Sequence, residues 1–170
     1  MIHEDGAVTK RTAVHIRPAR PEDLPRLVEL WKELMDFHRE LDPFFTRRPD
    51  GHERWRQFVS ANMASDRWLV LVAEVDHEPA GYLMAALQEC PPVFITTEYG
   101  FVQDVAVNAA HRRRGIASAL YARCEEWFRE KGVRRLELNA LAVNELSTAF
   151  WRQMGYGDYL WRMAKSMPGD

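Results

Sequence analysis

Arg112, Arg113, Arg114 and Gly115 set three guanidinium groups and a glycine side by side, just where an apolar stripe of helical period begins. Ile116, Leu120, Cys124, Trp127 and Phe128 recur at that spacing, with Arg123, Glu125, Glu126, Arg129 and Lys131 mainly between them. The first turn of a helix carries backbone N–H groups without intrahelical partners and a partial positive charge, so an anion is favoured there. Gly115 lets the backbone come close, and arginine forks suit phosphate oxygens. The expected guest of the N–H groups from Arg113 to Ala117 is therefore a pyrophosphate.

Carboxylates are the second chemical resource. Asp104 is the only acid inside the segment Phe101 to Val107, which is rich in β-branched and aromatic residues and reads as a strand largely buried on both faces. Glu98 sits just before that strand. Either can act as a general base, directly or through water. Simple alternation puts Asp104 on the face opposite Gln103, and a bulge would change this. A partly buried Asp with a structural hydrogen bond is the competing reading for Asp104.

The elements that must position these groups follow from patterning. Residues 1–12 are polar and mixed in charge, the composition of a mobile arm, and residues 13–168 read as one domain. Val14 to Arg17 alternates as a strand, Pro18 to Asp23 interrupts it, and Leu24 to Met35 carries a helical stripe. The stretch 38–52, with two prolines and a glycine, reads as loop or broken helix. Glu53 to Met63 is a helix, Trp68 to Val75 a strand, Asp76 to Pro79 a turn, and Gly81 to Leu87 the returning strand. After Cys90-Pro91-Pro92 come the Tyr99 to Val107 strand, the helix to Lys131 with Gly132 as its cap, and a strand from Arg134 to Leu141. A short helix over Ser147 to Met154 starts near Asn144 and ends at Gly155, and Tyr156 to Met167 is expected to supply a last strand or two. This order gives a mixed α/β domain, a central sheet with helices on both faces.

Composition bounds the function classes. With 170 residues, 46% hydrophobic, the chain is long enough for one well-buried core. A net charge of −2 lacks the basic excess of a dedicated nucleic-acid binder. Two cysteines, Cys90 and Cys124, make no disulfide framework, and no Cys/His spacing reads as a metal site. There is no apolar leader at the N-terminus and no run of membrane-spanning length, so a soluble, cytoplasmic protein with no membrane partner is expected.

Arg112-x-x-Gly115-x-Ala117, between a strand ending Val-Ala-Val and an amphipathic helix, resembles the acetyl-coenzyme A loop, (Gln/Arg)-x-x-Gly-x-(Gly/Ala), of the GNAT N-acetyltransferases. The start, Ile16-Arg17-Pro18-Ala19 followed by Pro21-Glu22-Asp23-Leu24, and the segment Asn144 to Tyr156 resemble the two ends of the same domain. The resemblance spans about residues 14–165. It implies a mostly antiparallel sheet with one splayed strand pair, and acetyl-CoA as co-substrate. It further implies cofactor contacts from Val105, Ala106, Val107, Arg112, Arg113, Arg114, Gly115, Ile116, Ala117, Ser118, Asn144 and Phe150. Val105 would bond the acetyl carbonyl through its backbone and Val107 the pantetheine arm, as a strand added to a sheet edge. Asn144 fits the pantetheine-binding amide and equally an ordinary helix N-cap.

The implied reaction is direct transfer of acetyl to a primary amine of a small molecule or peptide in a ternary complex, with a homodimer as an implied assembly. A non-catalytic acyl-CoA-binding or sensing module is the alternative. An amine of pKa about 10.4 is neutral in only about one molecule in a thousand at pH 7, a deficit of roughly 4 kcal/mol, so a base is useful. Where many members carry a tyrosine that protonates the leaving thiolate, this chain has Trp151, whose indole donates a hydrogen bond but no proton. A thiol of pKa about 8.5 leaves acceptably without a dedicated acid.

Overall fold

Five strands pair in the order β1-β2-β3-β4-β5: β1 (His15–Pro18), β2 (Trp68–Val75), β3 (Glu78–Glu89), β4 (Glu98–Val107) and β5 (Leu136–Leu138). The first three pairings are antiparallel and β4–β5 is parallel. Helices α1 (Leu24–Leu41), α2 (Gly51–Asn62) and α3 (Ile116–Glu130) connect them, and α4 (Glu145–Gln153) follows. The computed structural model describes residues 13–167, so the arm expected over 1–12 lies outside the described residues. The chain divides after Asn139 into two compact units.

In the first unit the centre is the β2–β3 hairpin, and its turn is tighter than the four residues expected. Asp76 and His77 alone make it, at φ 50° and 67°, and a two-residue turn of this kind needs positive φ at both positions. Leu27, Val28 and Leu30 of α1 and Trp55 and Val59 of α2 pack on one face of the sheet, against Val70, Val72, Tyr82, Met84 and Ala106. α3 packs on β2, β3 and β4, so both faces are covered as expected. The fit on that side is tight at Gly100, where a Cβ would lie 2.5 Å from the Phe128 ring and 2.6 Å from Leu136. No larger residue fits there without moving α3.

An ion network pins the edge. Arg17 on β1 bonds both carboxylate oxygens of Asp23, at 2.7 and 2.9 Å, and Glu74 on β2 at 2.9 Å. Asp23 also accepts from the Arg20 N–H at 2.7 Å, fixing the entry to α1. The Arg17 guanidinium holds the Asp23 carboxyl below the usual carboxylate range.

Several boundaries differ from the sequence reading. α1 continues to Leu41, and a 3-10 turn at Pro43–Phe45 follows, started by Asp42 Oδ1 accepting from the Phe44 N–H. β5 is three residues, not eight, because only Gly100 to Val102 of β4 lie opposite it. α3 ends as expected: Gly132, at φ 75°, donates to Arg129 O while Val133 donates to Phe128 O, which satisfies two terminal carbonyls.

In the second unit, Gly155 at φ 91° closes α4 in the same way, with Tyr156 N–H on Trp151 O. The strand expected over Tyr156 to Met167 is absent: residues 156–167 are irregular, and Leu160, Trp161 and Met163 are exposed. Aromatic residues such as Tyr159 and Trp161 give a segment strand propensity, but a ladder needs a partner edge, and none pairs with this segment among the described residues.

Candidate active site

β4 contains a bulge, and the bulge decides where its carboxylate goes. Met84 pairs with Asp104 but the next residue, Ala85, pairs with Val102, so Gln103 is the extra residue. Gly100 faces α3, and without the bulge Asp104, at the same parity, would face α3 too. With it, Asp104 shares the α1/α2 face with Ala106, Met84 and Tyr82, while Gln103 is exposed.

There Asp104 accepts a hydrogen bond from Trp55 on α2. Trp55 stacks on Trp31 of α1 at 5.4 Å and tilts against Tyr82 at 5.5 Å. Burial in this aromatic setting pushes the Asp104 carboxyl up to about 6, the Trp55 bond opposing the rise. Desolvation disfavours the charged form, which is how a carboxylate acquires basicity near neutrality.

The bulge also ends strand pairing. β5 covers β4 only to Val102, so beyond Gln103 no strand lies on that side of β4 among the described residues. The Asn108 N–H bonds Ala80 O at 2.8 Å, and the alternation of an antiparallel ladder then turns the N–H and C=O groups of Val105 and Val107 to the open side. Val107 O is already met there by Arg112 Nε at 3.2 Å. Over Gln103 to Val107 this edge of β4 pairs with no strand among the described residues, and an unpaired edge can take one added extended chain.

The loop after β4 leads to the start of α3. Asn108 Oδ1 accepts from the Ala110 N–H at 3.1 Å, and its Nδ2 donates to Glu33 on α1 at 3.1 Å. Arg113 and Gly115 both have left-handed backbone, φ 63° and 79°, and Gly115 is the N-cap with no side-chain cap. The N–H groups of Ile116, Ala117 and Ser118 are therefore open to an anion. A Cβ at Gly115 would meet nothing within 4 Å, so the backbone conformation, not crowding by the chain itself, calls for glycine there. Arg112, Arg113 and Arg114 are exposed.

Each remaining expected site residue has its own local setting. Glu98 begins β4, six residues from Asp104 or roughly 20 Å along the strand, and accepts from Arg67 Nη1 at 2.7 Å. Asn144, Phe150 and Trp151 belong to the second unit. Asn144 is the N-cap of α4, its Oδ1 accepting from the Ser147 N–H at 3.1 Å. Trp151 is buried between Phe150 and Tyr156, ring centroids 4.9 and 5.4 Å away. Two residues went unnoticed in the sequence, Trp55 and Tyr82. Both read as core, and the available signal was that buried Trp and Tyr carry polar tips needing partners.

A central mixed sheet, an open strand edge and an uncapped, arginine-flanked helix start define an acyl-CoA-dependent transferase. The profile of the Acetyltransferase (GNAT) family matches residues 27–156, and the chain belongs to that family: it is an acetyl-CoA-dependent N-acetyltransferase. It is 30% identical over 144 residues, 84% of this chain and 90% of the other, to the aminoglycoside N(6')-acetyltransferase type 1 of Acinetobacter haemolyticus. Its fold is similar to that of a single-residue mutant of the BH1408 protein from Bacillus halodurans, with TM-score 0.80 at 18% identity, over 91% of this chain and 99% of that one. It is also similar to an aminoglycoside N-acetyltransferase solved in complex with CoA, with TM-score 0.71 at 18% identity, over 94% and 98% of the two chains. Among the described residues no helix is long and apolar enough to cross a membrane.

Proposed function

We propose that this enzyme acetylates a primary amine of an aminoglycoside-type acceptor, a sugar carrying several ammonium groups, and that Asp104 removes the proton from the attacking nitrogen. The observation that carries the reading is the Asp104 carboxyl at about 6, turned by the bulge onto the α1/α2 face beside the open edge of β4. The acceptor class is supported by the aminoglycoside N(6')-acetyltransferase relative.

The chain's own residues divide the work. Acetyl-CoA supplies the activated acetyl thioester. The N–H groups from Arg113 to Ser118, with the Arg113 and Arg114 side chains, hold the pyrophosphate. Val107 and Val105 bond the extended pantetheine and thioester along the open edge, and the Val105 N–H stabilises the developing oxyanion. Ala106, between them, keeps its side chain in the core. Asn144 and Phe150 are proposed as further contacts to the pantetheine arm, although the Asn144 Oδ1 is already engaged as an N-cap.

Asp104 then accepts the amine proton. Moving a proton from an ammonium of pKa about 10.4 to an ordinary carboxylate near 3.9 is uphill by about 9 kcal/mol. To a carboxyl at about 6 it is uphill by about 6 kcal/mol, so burial lowers the transfer step by about 3. Glu98 has no part in this scheme, since Arg67 holds it. Trp151 shapes the second unit without proton transfer, and the thiolate leaves unaided.

Release of free CoA from acetyl-CoA, followed across a panel of aminoglycosides, simple alkylamines and peptide N-termini, tests the reading. Turnover well above hydrolysis with aminoglycosides is expected, with mass spectrometry showing one added acetyl group. Turnover confined to peptides or to monoamines would overturn the acceptor class.

A further inference from the structure

Tyr82 ends in an enclosed hydroxyl. The residue is 0% exposed, and its Oη has no hydrogen-bond partner among the described residues. A buried O–H gives up its hydration for nothing unless something inside the protein bonds it, and phenylalanine would fill the same space without that loss.

The neighbour that can use the hydroxyl is Asp104. Met84 pairs with Asp104 and Tyr82 with Ala106, so Tyr82 and Asp104 are diagonal neighbours on one face, a relation within reach of an aromatic side chain. Trp55 joins them, its ring 5.5 Å from that of Tyr82 and its N–H on the Asp104 carboxylate. That bond occupies one of about four acceptor sites on the carboxylate. Tyr82 lies in a hydrophobic cluster with Leu27 and Val28 of α1, Val59 of α2, Val70 and Val72 of β2, and Met84 of β3. Burial, and after it the charge of Asp104, raises the Tyr82 hydroxyl above its usual range.

We propose that a single buried water bridges Tyr82 Oη and the Asp104 carboxylate, so that Tyr82 is a positioning residue for the base of the acetyl transfer. Buried waters sit where they bond otherwise unsatisfied buried polar groups, and the Tyr82 Oη is such a group. With Trp55 on one side and the water on the other, the carboxylate is held by two donors and its free lone pairs are directed at the acceptor. The second donor also restrains the rise in basicity that burial produces, because a hydrogen bond to the charged form favours it. The inference rests on the reading of Asp104 as the base.

Tyr82→Phe keeps the ring and removes only the oxygen, so the variant is expected to fold with a melting temperature close to that of the parent. The pH profile of kcat/KM and the carboxyl titration of Asp104, followed by NMR with 13C-labelled aspartate, are measured in both proteins. Both the acid limb and the Asp104 titration should move to higher pH by about 0.5–1 unit, so that the variant's deficit in kcat/KM is about 2- to 5-fold larger at pH 6 than on the plateau above pH 8. An Asp104 titration that coincides in the two proteins overturns the bridge, whatever happens to activity. A titration that moves while the acid limb stays put supports the bridge and overturns Asp104 as the base.

Discussion

Replacing Asp104 with asparagine should make a more stable protein and a poorer enzyme. Burial raises the Asp104 carboxyl to about 6, from an ordinary value near 3.9. A carboxyl whose folded value lies above its unfolded one favours folding only while protonated. That stability is fully present below about pH 4 and is lost as the pH rises through about 6. At pH 8 the wild type therefore carries a charged carboxylate in a poor solvent, a penalty of at most about 3 kcal/mol. Because Asp104 is only partly buried by solvent exposure, about 1–3 kcal/mol is the working range. Asparagine keeps an acceptor for the Trp55 N–H and carries no charge. The Asn variant should thus melt higher at pH 8 by roughly 2–12 °C, at about 2–4 °C per kcal/mol for a chain of this size. At pH 4 the two melting temperatures should converge. Thermal melts of both proteins from pH 4 to 8 give the comparison. Parallel curves, or a lower melting temperature for the variant at pH 8, would refute the assignment of a raised, buried carboxyl to this position.

Three other perturbations address different parts of the molecule. Gly115→Asp puts a β-carbon on a residue at φ 79°, which costs about 1–2 kcal/mol locally, and sets a negative charge at the open helix start. Calorimetric affinity for CoA should fall more than about tenfold, and unchanged affinity would reject the pyrophosphate site. Asp23→Ala strips the Arg17 bonds to Asp23 and the Arg20 cap, leaving a partly buried guanidinium with Glu74, so a loss of about 2–4 kcal/mol is expected in denaturant melts. Asp23 titrates below the usual range, so its contribution is present at neutral pH and fades only as the pH falls through that lowered value; a loss under about 1 kcal/mol would show the network to be incidental. Trp151→Phe should keep the shape of the kcat profile against pH and change its height only modestly, and a lost or new ionisation would contradict a role without proton transfer.

The sequence made the frame legible because its signals were local. Trp68 to Val75, the helix from Ile116, its Gly132 cap and the Arg112 to Gly115 loop all depend on patterns within about ten residues, and the structure matches them closely. What escaped depends on pairing. The extra residue at Gln103 appears only when β4 is laid against β3, and it fixes both the face of Asp104 and the length of β5. Likewise, Tyr156 to Met167 carries aromatic and apolar residues that suit a strand but has no edge to pair with among the described residues. Trp55 and Tyr82 were hidden for another reason: their apolar bodies satisfy a helical or strand pattern, so the pattern says nothing about where the indole N–H and phenol O–H point.

The ratio of kcat/KM for wild type over Asp104→Asn, measured with one aminoglycoside acceptor from pH 5 to 11, tests the central claim most directly. Below about pH 6 the wild-type carboxyl is protonated and idle, and above about 10.4 the amine arrives already neutral. The ratio should therefore pass through a broad maximum of about 10²–10⁴ near pH 7–9 and decline toward unity at both ends. A ratio that stays constant across the whole range would contradict proton removal by Asp104.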